Sequence, residues 1–295
     1  MFCDIVYRIA ATVGGVENQS SQTAFTAAAA RAAHLIVDAE PYIFADTVAE
    51  AMLGDRAGEL LAYHRLHGDH PVLAGARAQV LIRARVAEHL LGESGVEQYV
   101  ILGAGLDSFA YRSPLAHQLR VFEVDHPGTQ AVKRDRLAAA GLRPLTDVRH
   151  VPVDLEVDRL LPHLAAHGFD AGRPAFVSWL GVSMYLTREA VGATLDQVAE
   201  LAPGSRLVLD HMVPAGLRDA AGQTYVDLVA PHAAESGEPW LSFFAPDEMA
   251  GQLAGRGFGA VRGVDQRDAL EPELWQRTDA LRPAKLSMIV SGCRE

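Results

Sequence analysis

The hydrophobic pattern changes period near residue 98. From about residue 20 to 91 apolar positions recur at three- and four-residue steps, as at Leu35, Ile36, Val48, Met52 and Leu53, the spacing of helices with one buried face. Ala27 to Ala30 add strong helix formers. No strand signal interrupts this stretch. Pro41 and Pro71 punctuate it, and HRLHGDHP over residues 64–71 is read as a polar turn. The pattern predicts a helical cap over residues 1–92.

Beyond it, residues 99–102 and 120–124 are short runs of aliphatic, β-branched and aromatic side chains, the mark of strands covered on both faces. Similar runs occupy 150–153, 175–179 and 206–209, with helical patterns at 128–140 and 188–201 between them. Strand alternating with helix predicts an α/β fold around a parallel sheet. A helix at 246–256 and two strands at 258–264 and 286–292 complete the chain. With no repeat and no linker, the expectation is a single domain over 1–295. Its parts are the cap, a cofactor-binding core at 93–212, a lid insertion at 213–245 and C-terminal strands of the core at 246–295.

Composition narrows the function. With 295 residues, 49% of them hydrophobic, the chain can bury roughly three-quarters of its unfolded surface, which excludes disorder as the main state. Subtracting 37 acidic from 26 basic residues leaves −11, a field that repels phosphate backbones and anionic membranes and argues against nucleic acid as a partner. No apolar run approaches the ~20 residues of a membrane span, and Asp4 stands where a secretory signal carries basic residues. A cytoplasmic protein is expected. Cys3 and Cys293, one near each end, support neither a disulfide framework nor a metal site.

Gly103-Ala104-Gly105-Leu106-Asp107-Ser108 follows directly on the first expected strand, where glycines let the backbone turn sharply and approach a ligand. Asp125 closes the next strand, 20 residues after Gly105, the separation at which a carboxylate meets the ribose of an adenosine cofactor. The third position of the dinucleotide fingerprint is Ser108 rather than glycine or alanine, which argues against NAD and for a cofactor without a pyrophosphate.

QYVILGAGLDSFAYR at 98–112, VFEVDHP at 121–127 and the Asp154-Leu155 pair together resemble the leucine carboxyl methyltransferase family and its bacterial relatives, from about Gln22 through Ser205. The resemblance implies a Rossmann-like class I methyltransferase sheet of seven strands with the last antiparallel, and S-adenosyl-L-methionine as cofactor. It further implies that Arg83, or alternatively Arg85, binds the cofactor carboxylate, a role suited to a guanidinium fork. Gly103 and Gly105 would line the methionine portion and Asp125 would hold the ribose. Asp154 would accept from the adenine amino group with Leu155 against the ring, unless Asp154 caps the helix that follows. The sequence departs from the family at Leu180, where a glutamate usually stands five residues before a Tyr-Leu pair.

Methyl transfer needs alignment and exclusion of water more than a dedicated base. A carboxylate acceptor is already ionised, whereas a phenol, with a pKa of about 10, needs a proton acceptor. His211 in LVLDHMV falls at the carboxyl end of the fifth strand and is the candidate base, with Asp210 either to orient it or simply to cap; Tyr185 is the second candidate catalytic side chain. The aromatic stretch carrying Tyr225, His232, Trp240, Phe243 and Phe244 suggests a lid over the acceptor. The expected function is O-methylation of a carboxyl or phenolic oxygen on a small molecule, in natural-product tailoring. An NAD-dependent oxidoreductase and a catalytically silent nucleotide-binding protein of the same fold are the open alternatives.

Overall fold

The computed structural model describes residues 22–295; the readings of Cys3 and Asp4 lie outside them. Four helices form the cap: α1 (Gln22–Val37), α2 (Ala49–Leu53), α3 (Ala57–His67) and α4 (Pro71–Gly92). Helix α4 starts on a His-Pro pair. His70 Nδ1 accepts from the Val72 N–H at 3.2 Å, and Pro71 sits at the first helical position, where it has no N–H to leave unpaired.

Residues 64–71 are therefore not a single polar turn. Helix α3 runs through His67 and buries His64, because Arg77 supplies that imidazole with a partner: Arg77 Nη1 donates to His64 Nδ1 at 3.2 Å. The same guanidinium grips Asp38 through Nε at 2.8 Å and Nη2 at 2.9 Å. His34 Nδ1 meets Asp38 at 2.9 Å, and His34 Nε2 accepts from the Ile43 N–H at 3.0 Å. A charged pair inside the cap is tolerable because its hydrogen bonds are satisfied on every side.

The sheet contains β1 (Gln98–Leu102), β2 (Arg120–Asp125), β3 (Val148–Pro152), β4 (Ala175–Trp179), β5 (Arg206–Met212), β6 (Phe258–Asp265) and β7 (Ser287–Arg294). Among the described residues their order is β3-β2-β1-β4-β5-β7-β6. Strands β1 to β5 pair in parallel, and β7 runs antiparallel to both β5 and β6. Every residue of β1 and of β4 is buried, as the predominantly apolar runs QYVIL and AFVSW predict. Helices α5 (Phe109–Arg112), α6 (Pro127–Ala139), α7 (Leu160–Ala166), α8 (Arg188–Val198), α9 (Ala220–Glu235) and α10 (Pro246–Ala254) connect the strands. No described helix is long and apolar enough to cross a membrane.

Side-chain alternation divides the core in two. Tyr99, Ile101, Phe176 and Val208 pack toward the cap; Val100, Leu102, Val177, Trp179 and Leu209 pack on the opposite face. Strand order reverses between β2-β1 and β4-β5, so the segments leaving β1 and β4 diverge and open a crevice at the carboxyl ends of the strands, where open α/β sheets bind ligands.

The fifth strand is longer than its apolar run. It continues through Asp210, His211 and Met212 because β7 pairs with them, Asp210 opposite Ile289 and His211 opposite Met288. Ladder hydrogen bonds thus hold two polar residues in extended conformation beyond Leu209, where the expected strand ends.

Candidate active site

A cavity of about 1010 Å³ occupies the crevice and extends between the N-terminal helices and α9. That is the upper end of the ~300–1,000 Å³ usual for a single ligand, room for a cofactor and an acceptor together.

At one end lies the glycine turn. Gly103 and Gly105 have φ of 66° and 47°, values that favour glycine. Their missing side chains serve packing rather than ligand approach: a Cβ on Gly103 would overlap Val182 Cγ2, and one on Gly105 would press on Ala24. The backbone of the turn lines the cavity. The Gly105 N–H donates to Asp125 Oδ2, and the His126 N–H donates to Asp125 Oδ1 at 2.7 Å. Burial raises the Asp125 pKa above its ordinary value, and those two backbone donors offset only part of the effect. Each carboxylate oxygen keeps a further lone pair for a ligand hydroxyl. His126-Pro127 then opens α6 just as His70-Pro71 opens α4, with His126 Nδ1 accepting from the Gly128 N–H at 3.2 Å.

Asp154 lines the same end of the cavity. It does not cap α7; its Oδ1 accepts from the Glu156 N–H at 3.0 Å, a local turn contact. Leu155 does not line the cavity and packs instead against the core cluster on the face away from the cap. Glu156 lines it, its carboxylate held by the Thr187 hydroxyl at 2.6 Å.

Of the two candidate arginines, Arg83 lines the cavity. Arg85 is turned to the Ile43 carbonyl at 3.0 Å and to Glu271 at 3.5 Å. Arg83 Nη1 donates to Asp210 Oδ2 at 3.3 Å, and the Gly181 N–H donates to Asp210 Oδ1. Leu180, at the departure from the family pattern, also lines the cavity.

His211 does not. Its side chain is fully buried, edge-on to Phe244 with ring centroids 6.2 Å apart, and its Nδ1 lies 3.4 Å from the Met212 carbonyl. Neighbouring strand residues point to opposite faces, so Asp210 faces the cap side while His211 faces away, and neither the base assignment nor the Asp210–His211 pairing survives. Burial lowers the His211 pKa and keeps the ring neutral.

Tyr185 does line the cavity. Burial raises its pKa, with a hydrogen bond to Thr23 opposing, so the phenol stays protonated. From the lid, Tyr225, Val229 and Ala233 line the cavity at successive four-residue steps along one face of α9. Tyr225 packs against α4 at Gly75, where a Cβ would come within 3.1 Å of its ring. Trp240 joins them, whereas His232, Phe243 and Phe244 lie outside the lining. Glu238, just after α9, ties that segment to α1, accepting from the Thr23 N–H at 3.1 Å and the Thr23 hydroxyl at 3.3 Å.

Sequence reasoning passes over one further group. Asp46 Oδ2 accepts from Arg31 Nε at 2.7 Å and from the Ser108 hydroxyl at 2.6 Å, and Asp46 Oδ1 accepts from the Val48 and Ala49 N–H groups at the start of α2. Arg31 Nη2 donates to the Leu106 carbonyl at 2.6 Å, inside the glycine turn. An aspartate just ahead of an apolar helical run is a recognisable helix-start signal; its link to the turn is not.

Residues 24–199 match the family model described as leucine carboxyl methyltransferase. A provisionally named S-adenosyl-L-methionine-dependent methyltransferase, YktD of Bacillus subtilis (strain 168), is 33% identical over 266 residues, 82% of this chain and 87% of that protein. A provisionally named S-adenosyl-L-methionine-dependent methyltransferase of Mycobacterium tuberculosis (strain ATCC 25618 / H37Rv) is 38% identical over 208 residues, 66% of this chain and 65% of that relative. In fold the chain is similar to the crystal structure of a provisionally assigned methyltransferase from Thermobifida fusca, with TM-score 0.55 and 24% identity over 83% of this chain and 92% of that one. The match to the family model and the long alignment with the Bacillus protein place the chain in the leucine carboxyl methyltransferase family, as an S-adenosylmethionine-dependent methyltransferase.

Proposed function

We propose that the enzyme methylates an oxygen of a small molecule, a carboxyl or phenolic group on a natural-product-like acceptor, in the cytoplasm. The observation that carries the reading is the continuity of one cavity from Asp125 and the glycine turn to Tyr185, Tyr225 and Trp240 beneath the lid. The residues fit the cofactor. Asp125 presents unspent lone pairs for ribose hydroxyls, Asp154 keeps an oxygen for the adenine amino group, and Arg83 offers a guanidinium to the carboxylate. S-adenosylmethionine supplies a methyl group on a positively charged sulfur.

The chain's own contribution is alignment and dryness. Protonated Tyr185 and Tyr225 donate rather than remove protons, and they orient an acceptor oxygen beside the turn. Val229, Ala233 and Trp240 exclude water. His211 lies outside the cavity, which His67, His70 and His126 line instead; a carboxylic acid arrives ionised and needs none of them, which places carboxylic acids ahead of phenols. Nothing in the described cavity favours a nicotinamide cofactor.

The test is turnover of isotopically methyl-labelled S-adenosylmethionine against a panel of aromatic and aliphatic acids, phenols and amines, read by mass spectrometry. Methyl esters or aryl methyl ethers are the expected products. Label appearing only on nitrogen, carbon or sulfur would overturn the reading.

A further inference from the structure

Asp210 is tied down from three directions. Its backbone pairs with Ile289 in the β5–β7 ladder, its carbonyl accepts from the Ser183 hydroxyl at 2.8 Å, and its Oδ1 accepts from the Gly181 N–H. Oδ2 accepts from no backbone N–H and faces Arg83 Nη1 at 3.3 Å. The carboxylate is 3% exposed and the Arg83 side chain 15%, so the acid is inside the wall and the base is at its surface.

Contact through one nitrogen at 3.3 Å is longer than the ~2.7–2.9 Å of a saturated charge-assisted pair. Arg83 has five N–H hydrogens, and its other nitrogens find no hydrogen-bond partner among the described residues. The wall is shaped for this arrangement. Gly181 has φ of 71°, and a Cβ there would fall on the Arg83 guanidinium; the space a side chain would take is filled by the arginine. Arg83 spans from α4 to the ends of β4 and β5, and a chain that long keeps one orientation only if something fixes its tip.

We infer that Asp210 is a positioning residue: through Nη1 it holds the Arg83 fork, over the Gly181 gap, so that the free donors meet the carboxylate of the bound cofactor. The inference rests on the proposed role of Arg83. It also places Asp210, not a residue at position 180, as the buried acid of this wall.

Calorimetric titration with two ligands separates this from a structural role: S-adenosylhomocysteine, which carries the carboxylate, and 5′-methylthioadenosine, which lacks the amino-acid end. Asp210→Asn is expected to weaken S-adenosylhomocysteine roughly tenfold, the scale of one hydrogen bond to a charged group, and to leave methylthioadenosine unchanged. Arg83→Ala gives the same pattern at least as strongly, and the double variant binds no more weakly than Arg83→Ala, since the acid acts only through the arginine. If Asp210→Asn does not fold, Asp210→Ser carries the same test, since it also removes the Oδ2 that faces Arg83 Nη1. Equal losses for both ligands, or an Asp210→Asn protein that binds S-adenosylhomocysteine normally while Arg83→Ala does not, would overturn the proposal. Normal binding by Arg83→Ala instead overturns the role given to the arginine, and with it this inference.

Discussion

Asp46 and Ser108 lie 62 positions apart and share a hydrogen bond of 2.6 Å, buried between the cap and the glycine turn. Around it Arg31 and Arg112 supply charge: Arg31 Nε at 2.7 Å from Asp46, and Arg112 Nε donating to the Ser108 hydroxyl at 2.9 Å. Burial alone would raise the Asp46 pKa, but the two guanidinium groups outweigh it and the pKa is lowered. Asp46→Ala leaves both arginines short of a partner in a dry site and removes the acceptor of the Val48 and Ala49 N–H groups. A loss of about 3–5 kcal/mol in chemical denaturation is expected, the range for breaking a buried ion pair. A loss below about 1 kcal/mol, the level of an ordinary exposed pair, would show that the cluster is not holding the turn.

His64 makes the cap sensitive to acid. Burial first, then the charge of Arg77, lowers its pKa from 6.5 to about 4, so the folded protein keeps this ring neutral while the unfolded chain protonates it. The unfolded state therefore binds more protons between those two values, and stability falls as pH falls from 6.5 toward 4. The contribution is roughly 3 kcal/mol, present above pH 6.5 and lost by pH 4. Denaturation midpoints of wild type and His64→Gln measured from pH 7.5 to 4.5 should converge as the pH drops. Parallel curves would remove His64 as the cause.

His211 offers a test of what the sequence suggests and the fold denies. His211→Gln should lower thermal stability, because a buried ring packed on Phe244 is lost, yet leave the pH profile of kcat unchanged. A slope that disappears from the profile in the variant would restore the histidine as a base.

At Gly103, alanine must adopt φ of 66° and collide with Val182. The backbone cost alone is about 1–2 kcal/mol. Gly103→Ala should weaken S-adenosylhomocysteine binding, and Val182→Ala in the same chain should recover part of it by removing the colliding methyl groups. Failure of the second substitution to recover any affinity would assign the whole effect to φ.

The parts of this molecule legible in the sequence are those decided by short segments. Tyr99 to Leu102 and Ala175 to Trp179 are buried parallel strands because nearly every side chain in them suits an apolar layer on either face, and Ser178 is the one polar residue among them, paired with the Tyr99 hydroxyl at 2.8 Å. Asp125 stands beside Gly105 because one strand, one turn and one helix fix the separation. What escaped depends on partners distant in the chain. The β7 ladder carries β5 past Leu209 and turns His211 away from the crevice. Arg77 buries a histidine that looks like loop chemistry. Leu155 packs into the core although the residue on either side of it lines the cavity. Only the position of α4 over the sheet distinguishes Arg83 from Arg85.

The clasp between Asp46, Arg31 and the turn bears on how such enzymes are re-engineered. Acceptor preference in this architecture invites exchange of the helical N-terminal third between relatives, as if it were an interchangeable lid. It is not one, because the strand-turn module leans on Arg31 through the Leu106 carbonyl and on Asp46 through Ser108. A chimera that imports foreign helices without those two side chains would leave the Leu106 carbonyl and the Ser108 hydroxyl of the turn without the partners that hold them.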